Sequence, residues 1–158
     1  MLFRSCGTIF EVYLPRATGP VIEQASTRPL MGSETILLVD DEEGVRKLCC
    51  AVLEANGYSV LEAGDAQSAL ASYDKNGHKV DLLLTDVVMQ QMNGFELGRT
   101  LQERTPELKI LYMSGYRDQA VRGNGQQVPV TFLNKPFTPD ALLARVREVL
   151  DAESAPRP

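Results

Sequence analysis

Between Glu34 and Asp151, short apolar runs alternate with stretches whose apolar residues recur at helical spacing. The runs of strand length are TILLV (35–39), YSVLEA (58–63), VDLLLTD (80–86), KILYMS (109–114) and VTFLN (130–134). The stretches between them carry stripes that fit one helix face. The first is Val45, Leu48, Cys49 and Val52, and the second is Ala66, Ala69, Leu70 and Tyr73. Gly94, Leu97, Gly98 and Leu101 form the next, and Leu142, Val146, Val149 and Leu150 the last. Local punctuation agrees: Gly57 fits a helix stop, Asp65 an N-cap, and Thr138 an N-cap followed by Pro139 at the first helical position. Strands alternating with helices predict an α/β fold with a parallel sheet covered on both faces. The first and third runs, nearly unbroken in apolar character, belong at the sheet centre.

One segment breaks the rhythm. YRDQAVRGNGQQVP (116–129) carries Gly123, Gly125 and Pro129 and offers only Ala120 and Val121 as apolar anchors. It predicts a fourth helix that is short or irregular. Residues 16–33 are rich in Pro, Gly, Ser and Thr without a period and read as a linker. Before them, residues 1–15 contain TIFEVYLP, which alternates like a strand, and an isolated strand is not stable. The division expected is therefore a remnant strand (1–15), a linker (16–33), one domain (34–152) and a disordered tail (153–158).

The 158 residues suffice for one domain with a full core. A formal net charge of −5 argues against sequence-independent binding to nucleic acid or to an anionic membrane. No apolar run approaches a membrane span, and the N-terminus lacks the apolar region and cleavage pattern of a signal peptide. Cys6, Cys49 and Cys50 make neither a disulfide framework nor a zinc pattern, and Cys49 reads as a small buried hydrophobe. His78 reads as a loop histidine. A cytoplasmic location is expected.

The chemistry sits at the strand ends. In ILLVDDEEG (36–44), four apolar residues run directly into Asp40, Asp41, Glu42 and Glu43. Adjacent carboxylates at a strand terminus repel and lose hydration, and a cation is the natural compensation. Parallel α/β sheets gather function at their carboxyl ends. There, Asp40 and Asp41 would be joined by Asp86 from the third strand, Ser114 from the fourth and Lys135 after the fifth. Oxygen ligands beside open solvent suit Mg²⁺. A lysine and a hydroxyl in addition suit a phosphoryl group, and an Asp carboxylate can act as nucleophile towards phosphorus.

VDDE after the first strand, LLLTDVVMQQMNG through the third strand and its loop, MSG at the fourth and FLNKPF at the fifth resemble the receiver domains of response regulators in two-component signalling. The resemblance covers about residues 34 to 151. It implies a flavodoxin-like, doubly wound sheet of five parallel strands in the order 2-1-3-4-5, and a module that is not itself an enzyme. It further implies that Asp86 accepts phosphate from a phosphohistidine on a histidine kinase or a histidine phosphotransfer protein. Asp41 would bind Mg²⁺ directly (Mn²⁺ can substitute), Asp40 largely through metal-bound water, and Val88 through its backbone carbonyl. Ser114 and Lys135 would contact the phosphoryl group, Phe132 would be the aromatic switch, and the Lys135–Pro136 bond would be cis.

The sequence departs from that family in the loop after Asp86, where Gln90 replaces the usual proline, and in Phe132, which lacks a tyrosine hydroxyl. The glycines at 123–125 depart as well, on a face that commonly carries output. GTIFEVYLPRA near the N-terminus is similar to the closing strand of histidine-kinase ATP-binding domains. With the linker, it points to the C-terminal receiver of a bacterial hybrid sensor kinase whose kinase core is absent. Output would then run through protein contacts, with no nucleic-acid or membrane partner, and a dimer through the output face or the stray strand is left open. The competing enzyme reading is a haloacid-dehalogenase-like Mg²⁺-dependent phosphohydrolase. That class places its nucleophile in an Asp-x-Asp arrangement after the first strand, where this chain has DDEE. A nucleotide or flavin module would need a glycine-rich phosphate loop there, and none is present.

Overall fold

The computed structural model describes residues 31–77, 79–90, 92–115 and 131–152. The elements in chain order are β1 (Thr35–Val39), α1 (Glu43–Ala55), β2 (Ser59–Ala63), α2 (Ala66–Lys75), β3 (Leu82–Asp86), α3 (Gly94–Arg104), β4 (Lys109–Ser114), β5 (Thr131–Asn134) and α4 (Pro139–Asp151). The N-terminal strand, most of the linker, Cys6, His78, the segment between β4 and β5 and the tail lie outside the described residues.

The five strands form one sheet in the order β2-β1-β3-β4-β5, and every neighbouring pair is parallel. Alternation along each strand sorts the side chains onto two faces. Ile36, Leu38, Leu82, Leu84, Leu111, Met113 and Leu133 pack with α1 and α4, while Leu37, Val39 and Leu83 pack with α2 and α3. The central strands β1 and β3 are buried on both faces, which is why their sequences carry unbroken apolar runs.

The local signals act as their chemistry demands. The Asp65 side chain accepts from Ser68 N–H at the start of α2, and Thr138 does the same for Ala141 N–H at the start of α4, with Pro139 following. Gly57 takes a φ of 92° after α1, a conformation that L side chains rarely adopt. The first helical stripe is a partial correction. Cys49 is buried as expected, but Leu48 is 55% exposed, and Cys50 and Leu53 are buried instead. At about 100° per residue, a face centred between Cys49 and Leu53 takes in Cys50, Val45 and Val52 and leaves Leu48 about 120° from its centre. Burial pushes the thiols up, to about 11 for Cys49 and about 12 for Cys50, so both stay protonated and inert.

Candidate functional site

Strand register assembles the acidic pocket. β1 and β3 end their pairing at Val39 and Thr85, so Asp40 and Asp86 are the next residues on adjacent strands. Asp40 continues the row of Ile36 and Leu38, Asp86 the row of Leu82 and Leu84, and Lys135 the row of Leu133, so all three start from the face shared with α1 and α4. The side chains meet there. Lys135 Nζ donates to Asp40 Oδ2 at 2.8 Å and to Asp86 Oδ2 at 2.6 Å. Asp41, exposed at the rim, brings a third carboxylate, and one oxygen from each of Asp40, Asp41 and Asp86 lies within 4.8 Å of the others.

Asp40 is wholly buried and held on every side. Its backbone N–H donates to the Ala63 carbonyl (3.3 Å) and its Oδ1 accepts from Glu42 N–H (2.8 Å), while its own carbonyl accepts from Arg46 Nη1 (2.6 Å). Burial pushes its carboxyl above the ordinary range. The hydrogen bonds from Lys135 and Glu42 oppose that shift and the Asp86 charge adds to it. Burial pulls the Lys135 ammonium down, but hydrogen bonds and charge from Asp40 and Asp86 outweigh it and leave the lysine raised. Its positive charge is therefore secure at neutral pH.

Around Asp86 the backbone is packed closely. Asp86 Oδ1 accepts a long bond of 3.3 Å from Val88 N–H, and the Val88 side chain is 59% exposed. Gly94 opens α3 directly against Asp86: a Cβ at Gly94 would lie 2.1 Å from the Asp86 carbonyl oxygen. The capping box of Asn93 and Glu96 fixes this helix start beside the pocket.

Ser114 is buried, but it continues the opposite row, with Tyr112, and its Oγ donates to Asn134 Oδ1 at 3.2 Å. The structure thus gathers Asp40, Asp41, Asp86 and Lys135, and places Ser114 at the next strand end with Asn134 as its partner. Phe132 stands in an aromatic trio, 5.8 Å from the Tyr112 ring and 6.2 Å from that of Phe95. The Lys135–Pro136 bond is cis. Asn134, Gly94 as a close approach to Asp86, and Arg46 behind Asp40 carried no chemical signature of their own in the sequence, although Gly94 stands in the quoted MNG.

Three carboxylates against one ammonium leave the pocket with an excess of negative charge. An all-oxygen donor set, partly open to solvent at Asp41, fits a small hard cation that keeps several waters. The residues present therefore suit Mg²⁺.

Residues 36–147 match the family model of the response regulator receiver domain. The sensor kinase CckA of Brucella abortus (strain 2308) is 35% identical over 161 aligned positions, covering 93% of this chain and 17% of that protein. The phosphate regulon transcriptional regulatory protein PhoB of Pseudomonas aeruginosa is 35% identical over 123 positions, covering 76% of this chain and 53% of that protein. The chain thus spans about half or less of the length of these relatives. Among solved structures, the receiver domain from hybrid histidine kinase CckA superposes with a TM-score of 0.63 at 32% identity, covering 73% of this chain and 98% of that one. Chemotaxis protein CheY4 of Vibrio cholerae superposes with a TM-score of 0.66 at 30% identity, covering 75% of this chain and 99% of that one.

Proposed function

Because this chain belongs to the family of response regulator receiver domains of two-component systems, we propose that its pocket accepts a phosphoryl group on Asp86. The observation that carries the reading is the Lys135 ammonium held between Asp40 and Asp86, with Asp41 completing a cluster that fits Mg²⁺. The donor is a phosphohistidine on a histidine kinase or histidine phosphotransfer protein. An Asp86 carboxylate oxygen attacks phosphorus, the P–N bond breaks, and the imidazole nitrogen leaves with the bonding pair. Of the two oxygens, Oδ1 is less firmly held, since its contact to Val88 N–H is the longer one.

Asp41 and Asp86, with the Val88 carbonyl, would hold Mg²⁺, and Asp40 would act largely through metal-bound water. The ion supplies charge neutralisation to the phosphoryl oxygens. Lys135 keeps one ammonium against the pocket throughout, and it can follow the charge from the Asp86 carboxylate to the new phosphoryl oxygens. The adduct adds roughly −1.5 to −2 charge. Ser114 would then leave Asn134 to donate to a phosphoryl oxygen, with Phe132 moving in response. In this reading the chain is a phosphoacceptor with output through protein contacts, and the phosphohydrolase alternative has no observation in its favour.

The parent protein is proposed to be a hybrid sensor kinase. The match to the CckA sensor kinase covers 93% of this chain, against 76% for the PhoB regulator, which supports kinase-like sequence beyond the receiver itself. Borohydride reduction after incubation with acetyl phosphate and Mg²⁺ tests the acceptor. Peptide mapping should find homoserine at position 86. Homoserine elsewhere, at Asp40 or Asp41, would overturn the assignment.

A further inference from the structure

Asp41 stands exposed at the rim of the pocket. Among the described residues its carboxylate makes neither a hydrogen bond nor an ion pair. Its aim is therefore set by the backbone that carries it, and that backbone is held from behind by Arg46. The Arg46 side chain is only 17% exposed, and its Nη1 donates to the Asp40 carbonyl oxygen at 2.6 Å. This oxygen belongs to the planar peptide that joins Asp40 to Asp41. Holding it fixes the plane from which the Asp41 side chain departs.

At the helix start, Glu42 makes no side-chain cap bond, but its N–H donates to Asp40 Oδ1 at 2.8 Å, so the turn that carries Asp41 is held by this bond and by Arg46. Arg46 is itself braced from the far side, where Nε lies 3.7 Å from Glu62 Oε2 on β2. A planar guanidinium meets the two contacts with two different nitrogens, Nη1 on the carbonyl and Nε towards Glu62, a fixed spread of donors that the single nitrogen of an ammonium lacks.

We propose that Arg46 is a positioning residue of the acidic pocket. It clamps the Asp40–Asp41 peptide and so holds the Asp41 carboxylate where a divalent cation shared with Asp86 can use it. The proposal rests on the reading of the pocket as a Mg²⁺ site. It also makes a prediction opposite in sign to simple charge. A guanidinium near three carboxylates repels a cation, so charge alone says that its removal tightens Mg²⁺ binding. Loss of the clamp weakens it instead, on the order of tenfold, as is typical for outer partners of metal ligands.

Calorimetric titration of the full chain with MgCl₂ separates these outcomes, with urea unfolding in metal-free buffer as the measure of fold. Wild type should bind Mg²⁺, and Arg46→Gln should bind roughly tenfold more weakly. Arg46→Lys should weaken binding too despite keeping its charge, and Glu62→Gln should do so to a smaller extent. Unchanged or tighter binding in folded Arg46→Gln overturns the proposal. Should that variant not fold, unchanged binding in Arg46→Lys overturns it equally. A wild type that binds no Mg²⁺ overturns the metal reading itself, and this proposal with it.

Discussion

At the amino ends of the strands, Arg147 lies between Glu34 (2.7 Å) and Asp151 (2.8 Å), and Lys109 Nζ donates to the carbonyls of Leu150 (2.6 Å) and Ala152 (2.8 Å). Asp81 completes that end by accepting from Thr35 N–H at 2.8 Å. At the carboxyl ends, Lys135 faces Asp40 and Asp86, and Asp41 adds a third acid. Both poles of one sheet gather charge. At the amino pole every one of these groups is hydrogen-bonded, Arg147 to two acids, Lys109 to two carbonyls and Asp81 to a backbone N–H, and the network fastens α4 to the segment before β1. At the carboxyl pole the acids outnumber the base, and the excess is held in place by Gly94, Glu42 N–H and Arg46 rather than relieved. A cluster whose charged groups are all hydrogen-bonded reads as structure; one whose acids crowd around a single lysine, with Asp41 left at the rim, supports the proposed uptake of a cation and a phosphoryl group.

The sharpest way to break this contrast is Lys135→Met, which leaves buried Asp40 without its cation. In metal-free buffer it should lower stability by about 3 kcal/mol, with part of the loss recovered on adding Mg²⁺. Urea unfolding with and without the ion measures both. An equal loss in the two buffers would mean that the pocket does not exchange one cation for another.

Mg²⁺ alone comes next. At a hundredfold excess over its dissociation constant it should stabilise the wild type by about 2.7 kcal/mol, and chelation should remove that gain. Thermal unfolding reads the effect directly. No metal-dependent shift would place the carboxyl pole in the same class as the amino pole.

Arg147→Ala tests the amino pole. It should cost about 1.5 kcal/mol, the worth of a hydrogen bond to a charged group, and the cost should be independent of Mg²⁺. A metal-dependent cost would show that the two poles are coupled.

The smallest effect is a difference of sign with pH in metal-free buffer. The Arg147 hydrogen bond holds Glu34 below its ordinary 4.5 against the opposing pull of burial. Its stabilisation is present above 4.5 and is lost as pH falls through the depressed folded value. Burial holds Asp40 above its ordinary 3.8 instead, so its charge opposes folding at neutral pH, and that penalty fades as pH falls through the raised folded value towards 3.8. Urea midpoints against pH should therefore show Glu34→Gln less stable than wild type at neutrality, the gap closing in acid. Asp40→Asn should show wild type gaining on the variant as the solution becomes acidic. Parallel curves for the two variants would contradict the contrast.

Much of this architecture was legible from residue order because period and punctuation are local. β1 at 35–39 and β4 at 109–114 carry the bounds read from their apolar runs, and Asp65, Thr138 and Gly57 act where their side chains or backbone freedom require. Asp40, Asp86 and Lys135 could be brought together on paper because each follows an apolar strand. A parallel sheet makes strand ends into neighbours. What escaped depends on side-chain direction between elements. The exposure of Leu48 follows from how far α1 is rotated on the sheet, and the pairing of Ser114 with Asn134 from the row each strand end continues. Arg46 reads as an ordinary helix cation until the turn before it folds back beneath its guanidinium.

The central claim is that the unbalanced pole takes up one phosphoryl group, with the cation's help, on Asp86. Intact-mass spectrometry after incubation with acetyl phosphate tests it most directly, with wild type and Asp86→Asn run side by side in Mg²⁺ and in chelator. The account predicts a single phosphoryl adduct on the wild type in Mg²⁺ and none in the other three samples. An adduct of equal yield on Asp86→Asn, or one indifferent to chelation, would contradict it.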